Sequence, residues 1–111
     1  MSPEYLAGFF DGEGTFYIGK QFKKGKEYPH ATVMLSQSGE DGLKLLQTIQ
    51  EGYGGNIYEH LKPGQHKATK FAYKLYWNKK EAIKLINALL PWLILKYQAA
   101  FKVKQYLERD K

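Results

Sequence analysis

Cysteine is absent from the 111 residues, which excludes disulfides and thiolate metal sites and is compatible with a reducing compartment. Long apolar runs are missing as well. The longest, residues 88–95, is broken by Pro91 and falls far short of the roughly 20 residues that cross a bilayer, so no membrane partner is expected. No secretory leader, repeat, linker or low-complexity tract is read, and residues 1–111 are expected to form one domain with a single modest core. Acid is scarce: 11 Asp and Glu stand against 17 Lys and Arg, for a formal net charge of +6, a balance that favours polyanionic partners.

The charge is segregated along the chain. Residues 1–14 carry Glu4, Asp11 and Glu13 with no base, whereas residues 15–37 carry Lys20, Lys23, Lys24 and Lys26 against Glu27 alone. Residues 54–80 carry six lysines (62, 67, 70, 74, 79 and 80) against Glu59. The acid gathers near the start of the chain and the base on these two later segments.

Hydrophobic periodicity predicts the elements. Ser2-Pro3-Glu4 is a helix start, because Ser caps a free amide, Pro suits the first helical position and an early acid complements the dipole. That helix is expected to end at Asp11 or Gly12. Residues 15–22 and 31–37 read as strands around a hairpin loop at 23–29, with Phe16, Ile18, Val33 and Leu35 inward. Tyr17, Gly19, Gln21, His30, Thr32, Met34 and Ser36 then share the other face.

Ser38 is placed to cap a helix from about Gly39 with Leu43, Leu46 and Ile49 buried and Leu45 at the margin, ending near Gly52 and Gly54-Gly55. Residues 56–61 and 70–77 form a second hairpin around the basic turn 62–67. With Phe71, Tyr73, Leu75 and Trp77 inward, Lys70, Ala72, Lys74 and Tyr76 share a face with Tyr58 and His60. Asn78 caps a helix from Lys79 to about Leu90, and Ala82, Ile83, Leu85, Ile86 and Leu89 supply its apolar residues. Pro91 ends or redirects it. A last helix over 92–108 would bury Leu95, Ala99, Val103 and Tyr106 or Leu107 and leave Lys102, Lys104 and Arg109 wet. The expected order is αββαββαα, an α+β fold.

Two features of the first helix are costly for ordinary packing. Gly8 and Gly12 lie four apart on one face, and each helix-interior Gly costs roughly 1 kcal/mol against Ala. Such a pair makes sense where another backbone must approach closely. Asp11 and Glu13 also sit at the end of the helix that is already negative. A divalent cation held by a carboxylate and a free carbonyl would resolve the conflict. Alternatively, Asp11 is solvated, and Glu13 opens a loop with Gly12 and Gly14 as a C-cap.

Residues 6–14 read LAGFFDGEG, and this string resembles the signature of the LAGLIDADG homing endonucleases. The resemblance implies a four-stranded antiparallel saddle-shaped sheet with helices on its convex face, which agrees with the element order. It implies that Glu13 and the Gly12 carbonyl hold the metal, and that Gly8, Phe9 and Gly12 lie at a helix contact between two copies. Gln37, which closes the second strand, matches a polar residue that holds active-site water. Lys96, within PWLILK, matches a basic residue beside the scissile phosphate. Gln37 is otherwise a solvated strand cap and Lys96 a snorkelling surface lysine. Where some relatives carry a second base early in the next helix, this chain has Glu40, Asp41 and Gly42.

A single signature implies a homodimer acting on a near-palindromic duplex DNA target, with Mg²⁺, two or more per dimer, as cofactor and Mn²⁺ as a workable substitute. DNA contacts are expected from Tyr17, Gln21, His30, Thr32, Met34, Ser36, Tyr58, His60, Lys70, Lys74 and Tyr76 on the strands. Lys23, Lys24, Lys26, Lys62 and Lys67 in the loops are expected to meet phosphates. His30, His60 and His66 are spread over separate elements and read as surface or DNA contacts rather than ligands. An RNA-splicing maturase or a non-cutting DNA-binding regulator would carry the same elements, and a generic basic α+β domain would carry all but the signature.

Overall fold

The computed structural model describes residues 1–62, 64 and 70–109. Helix α1 (Pro3–Glu13) opens on Ser2, whose Oγ accepts from the Tyr5 amide at 3.1 Å. Strands β1 (Gly14–Lys23) and β2 (Lys26–Ser38) follow, then α2 (Gly39–Tyr53), β3 (Asn56–Leu61), β4 (Ala72–Tyr76), α3 (Lys79–Leu89) and α4 (Tyr97–Arg109). The order is αββαββαα. All neighbouring strands are antiparallel in one sheet of order β1-β2-β4-β3.

One sheet face carries the core. Phe16, Val33, Leu35, Leu75 and Trp77 are buried against Leu6, Ala7 and Phe10 of α1, Leu46 and Ile49 of α2, Leu85, Ile86 and Leu89 of α3, and Ala100 and Val103 of α4. The Phe10 ring stacks on Phe16 at 4.8 Å and meets Trp77 at 5.6 Å. The Trp77 indole donates to the Tyr53 carbonyl at 3.0 Å, so the core's largest ring brings its polar atom to the end of α2. Asn78 caps α3 by accepting from the Glu81 amide at 3.1 Å. Ser38 holds the N-cap position of α2, but its hydroxyl makes no capping bond.

Four local expectations are corrected. The first hairpin has no seven-residue loop, because Lys24 and Gly25 form a two-residue turn with both φ positive, 51° and 76°. Such a turn matches strand twist and lets Lys23 pair directly with Lys26. Pro29 is accommodated inside β2 because β4 pairs only with residues 34–38, leaving β2 with one neighbour at that point.

Ile18 keeps the inward parity but is 39% exposed, at a shallow cleft it shares with Lys102, Tyr106 and Arg109 of the last helix. Phe71 precedes β4 and is likewise exposed. The last helix begins at Tyr97 rather than Trp92, and Leu95 faces solvent while Leu93 is buried.

Candidate active site and nucleic-acid face

The end of α1 resolves the electrostatic conflict between its two acids by separating them. Asp11 Oδ2 accepts from the Ile94 amide and Oδ1 from the Lys96 amide, each at 2.9 Å. The Ile94 and Lys96 amides, just ahead of α4 at Tyr97, are thus satisfied by a carboxylate. The Ala100 amide bonds to the Lys96 carbonyl at 2.9 Å, so Asp11 sits at the N-terminus of α4, where a negative charge is favoured. Partial burial works to raise the Asp11 pKa. Bonds from Ile94, Lys96 and Leu95 and the charge of Lys96 outweigh it and hold the carboxyl below its ordinary range.

Glu13 has no such arrangement. It is exposed at the last position of α1, and among the described residues nothing bonds its carboxylate. The Gly12 carbonyl beside it has no partner within the helix, because α1 ends one residue later. Lys96 is brought to this end of the helix from 82 residues away: its Nζ donates to the carbonyl of Gly14, the next residue after Glu13. Gln37 is half-buried two residues past Leu35, the partner of Gly14, roughly 7 Å further along β2. It packs on Gly42, where a Cβ would lie 2.9 Å from Gln37 Cβ, and its side chain makes no hydrogen bond among the described residues. Glu13, Gly12 and Lys96 thus converge, whereas Gln37 borders them without a bond to any of the three.

The donor set at Glu13 suits a hard divalent cation of modest protein coordination. Among the described residues no group of three or more His, Cys, Asp or Glu is placed to hold a metal. Mg²⁺ commonly takes one or two carboxylates and completes its shell with water and substrate phosphate. Glu13 and the Gly12 carbonyl fit that pattern.

Along α1, the face opposite the core is open. Tyr5 is 60% exposed, Gly8 and Gly12 are exposed, and Phe9 is half-buried. Among the described residues a Cβ built on Gly8 or Gly12 would meet nothing within 4 Å, so no contact among them requires glycine at either place. Ile94 and Leu95, 88% and 76% exposed, adjoin the same end of the helix through Asp11.

The sheet face turned away from the helices collects most of the expected nucleic-acid contacts by register. Tyr17 stands opposite Thr32, Gln21 opposite Tyr28, Lys23 opposite Lys26, Met34 opposite Tyr76, and Ser36 opposite Lys74, which in turn faces Tyr58. Tyr58 and Tyr76 meet edge to face at 5.9 Å. The Tyr17 ring lies over Gly19, where a Cβ would be only 2.5 Å away. His60 is the extra residue where the ladder steps from Glu59 opposite Tyr73 to Leu61 opposite Ala72.

Lys70 lies against Gly39 at the start of α2, with Nζ 3.8 Å from where a Cβ would be. Lys62 is exposed, and Lys67 and His66 lie outside the described residues. Tyr28 joins that sheet face by register, which the expected loop at 23–29 had hidden, and Asp11, read as an acid needing a cation or solvent, is taken instead by amides 83 and 85 residues away. A cleft of about 700 Å³ between the first hairpin, α3 and α4 is lined by Lys24, His30, Trp77 and Tyr106, and neither Glu13 nor Lys96 reaches it.

A family model described as LAGLIDADG endonuclease matches residues 6–107. The chain belongs to the LAGLIDADG endonuclease family. No curated protein matches at significant similarity. Among solved structures, this LAGLIDADG chain is similar to the homing endonuclease I-CvuI in complex with its target in the presence of Ca, at 21% identity and a TM-score of 0.78. The likeness covers 96% of this chain and 66% of that one.

The group I intron-encoded homing endonuclease I-CeuI complexed with DNA matches at 19% identity and 0.74, over 96% of this chain and 53% of that chain. I-GzeII in complex with its DNA target matches at 23% and 0.72, over 98% and 36%. These likenesses carry the fold, and the chain spans just under two thirds of the I-CvuI chain. Among the described residues no helix is long and apolar enough to cross a membrane.

Proposed function

We propose that this LAGLIDADG chain is a site-specific, divalent-metal-dependent DNA endonuclease that works as a homodimer on a near-palindromic duplex. The observation that carries the reading is the end of α1. Among the described residues an unbonded Glu13 carboxylate and a free Gly12 carbonyl stand beside the residue that takes the Lys96 ammonium, on a helix whose glycine face is open. Gly8, Phe9 and Gly12 would meet their counterparts across a two-fold axis, with exposed Ile94 and Leu95 at the margin. That packing brings two such helix ends side by side, one for each DNA strand.

Mg²⁺ is the natural ion for this donor set, two or more per dimer, with Mn²⁺ as a substitute. When bound, it supplies Lewis-acid charge stabilisation and lowers the pKa of a bound water. The Glu13 carboxylate and Gly12 carbonyl would hold it. Lys96 would place its ammonium against the negative charge that develops on the phosphate, and Gln37 would orient a water at the border of the site. Strand residues such as Gln21, Thr32, Ser36 and Lys74 would reach base edges in the major groove. Lys23, Lys24 and Lys26 at the hairpin tip would contact phosphates.

The test is selection from a randomised duplex library with Mg²⁺ and, separately, with Ca²⁺, with sequencing of cut and of retained DNA. Cuts at one near-palindromic site with Mg²⁺, abolished by EDTA and by Glu13→Gln while binding in Ca²⁺ persists, are expected. Retention of a sequence without any cutting would make the protein a DNA-binding regulator. Preference for a structured intron RNA, without cutting of DNA, would make it a maturase.

A further inference from the structure

Lys96 is held at both of its ends by the segment that carries the metal-binding carboxylate. Its backbone amide is taken by Asp11 Oδ1 and its ammonium by the Gly14 carbonyl, two residues that flank Gly12-Glu13. The chain around it has little else to fix it. Leu93 is buried, but Ile94 and Leu95 are 88% and 76% exposed and α4 does not start until Tyr97. The second oxygen of Asp11 takes the Ile94 amide, so one carboxylate satisfies two donors on alternate residues. Each oxygen takes one amide, and Asn in the same pose would turn an NH₂ toward one of the two N–H groups.

We propose that Asp11 is a positioning residue for DNA cleavage, setting the backbone at 94–96 so that the Lys96 ammonium stands beside the Glu13 metal site. The inference rests on the endonuclease reading and on the role given there to Lys96. Asp11 itself touches neither DNA nor metal. Its two oxygens are committed to amides, which is why Glu13 alone of the two acids is left for a cation. A displacement of the ammonium by about an ångström is enough to cost roughly 10- to 100-fold in rate.

The experiment is single-turnover cleavage of the selected target in Mg²⁺, with DNA affinity measured in Ca²⁺, for the full chain and for Asp11→Asn, Lys96→Ala and the double variant. Asp11→Asn is expected to slow cleavage about 10- to 100-fold with affinity little changed, and the double variant to cut no more slowly than Lys96→Ala alone. Losses that multiply in the double variant would overturn the proposal, because Asp11 would then act independently of Lys96.

Wild-type cleavage by Asp11→Asn, with Lys96→Ala slow, would overturn it while leaving the endonuclease reading intact. Wild-type cleavage by Lys96→Ala would instead overturn the role of Lys96 and this inference with it. Hydrogen exchange on the wild-type protein tests the tether without any variant. The Ile94 and Lys96 amides are expected to be protected despite the exposure of Ile94, and exchange at unprotected rates would overturn the tether.

Discussion

A Cβ on Gly14 would stand 2.0 Å from Cδ1 of Phe10, inside the ring that joins α1 to the core. Phe10 is fully buried and wedged against Phe16 and Trp77, so it has no free direction in which to move. Gly14→Ala is therefore expected to destabilise the fold by about 1–3 kcal/mol, the usual cost of overpacking a filled core. Urea unfolding of the metal-free protein measures it, and an unchanged midpoint would mean that the helix-to-strand junction is looser than described.

Gly8 presents the opposite case. Among the described residues of one copy nothing meets a Cβ there, so Gly8→Leu should leave the monomer folded and gain helix propensity of up to roughly 1 kcal/mol. Its side chain would stand between two α1 helices packed at their glycine faces. Sedimentation is expected to show the variant as a monomer with no cleavage. A Gly8→Leu dimer that still cuts would place the dimer contact elsewhere.

Lys74 occupies the middle of the uncovered face, between Ser36 and Tyr58, whereas Lys24 stands at the exposed hairpin tip. A phosphate contact by Lys24 would weaken binding uniformly across sequences on substitution by Ala and lower the salt slope by about one. Base readout by Lys74 would relax preference at one pair of symmetric target positions. Affinities at several salt concentrations over a panel of target variants separate the two behaviours, and identical profiles for both alanine variants would count against the groove assignment.

The lowered Asp11 pKa fixes the sign of one pH effect. The carboxyl of the folded chain releases its proton more readily than that of the unfolded chain, so its contribution is fully present above the ordinary aspartate value of 3.8 and is lost as pH falls through the folded value below it. In metal-free protein, urea midpoints below pH 3.8 should drop more steeply for wild type than for Asp11→Asn. Parallel curves would show that the tether carries no such charge.

Much of the fold was legible because it rests on local signals. Ser2-Pro3 and Asn78 announced helix starts, and alternation around Val33 and Leu35 announced a strand. The LAGFFDGEG string singled out Gly8, Gly12 and Glu13 before any geometry was known. Local boundaries failed where a long-range partner or a turn geometry overrode composition. Lys24 adopts a left-handed conformation that few non-glycine residues take, and so turned an expected loop into a tight hairpin.

By itself, then, the sequence determined the element order, the family and which residues alternate to each face of the sheet, since periodicity and motif are properties of neighbours along the chain. Only the tertiary structure decided the fates of the two acids at the end of α1. Asp11 is taken up by amides 83 and 85 residues away and Glu13 is left without a bond among the described residues, because a backbone donor outside helix and strand takes whichever acceptor the fold brings beside it.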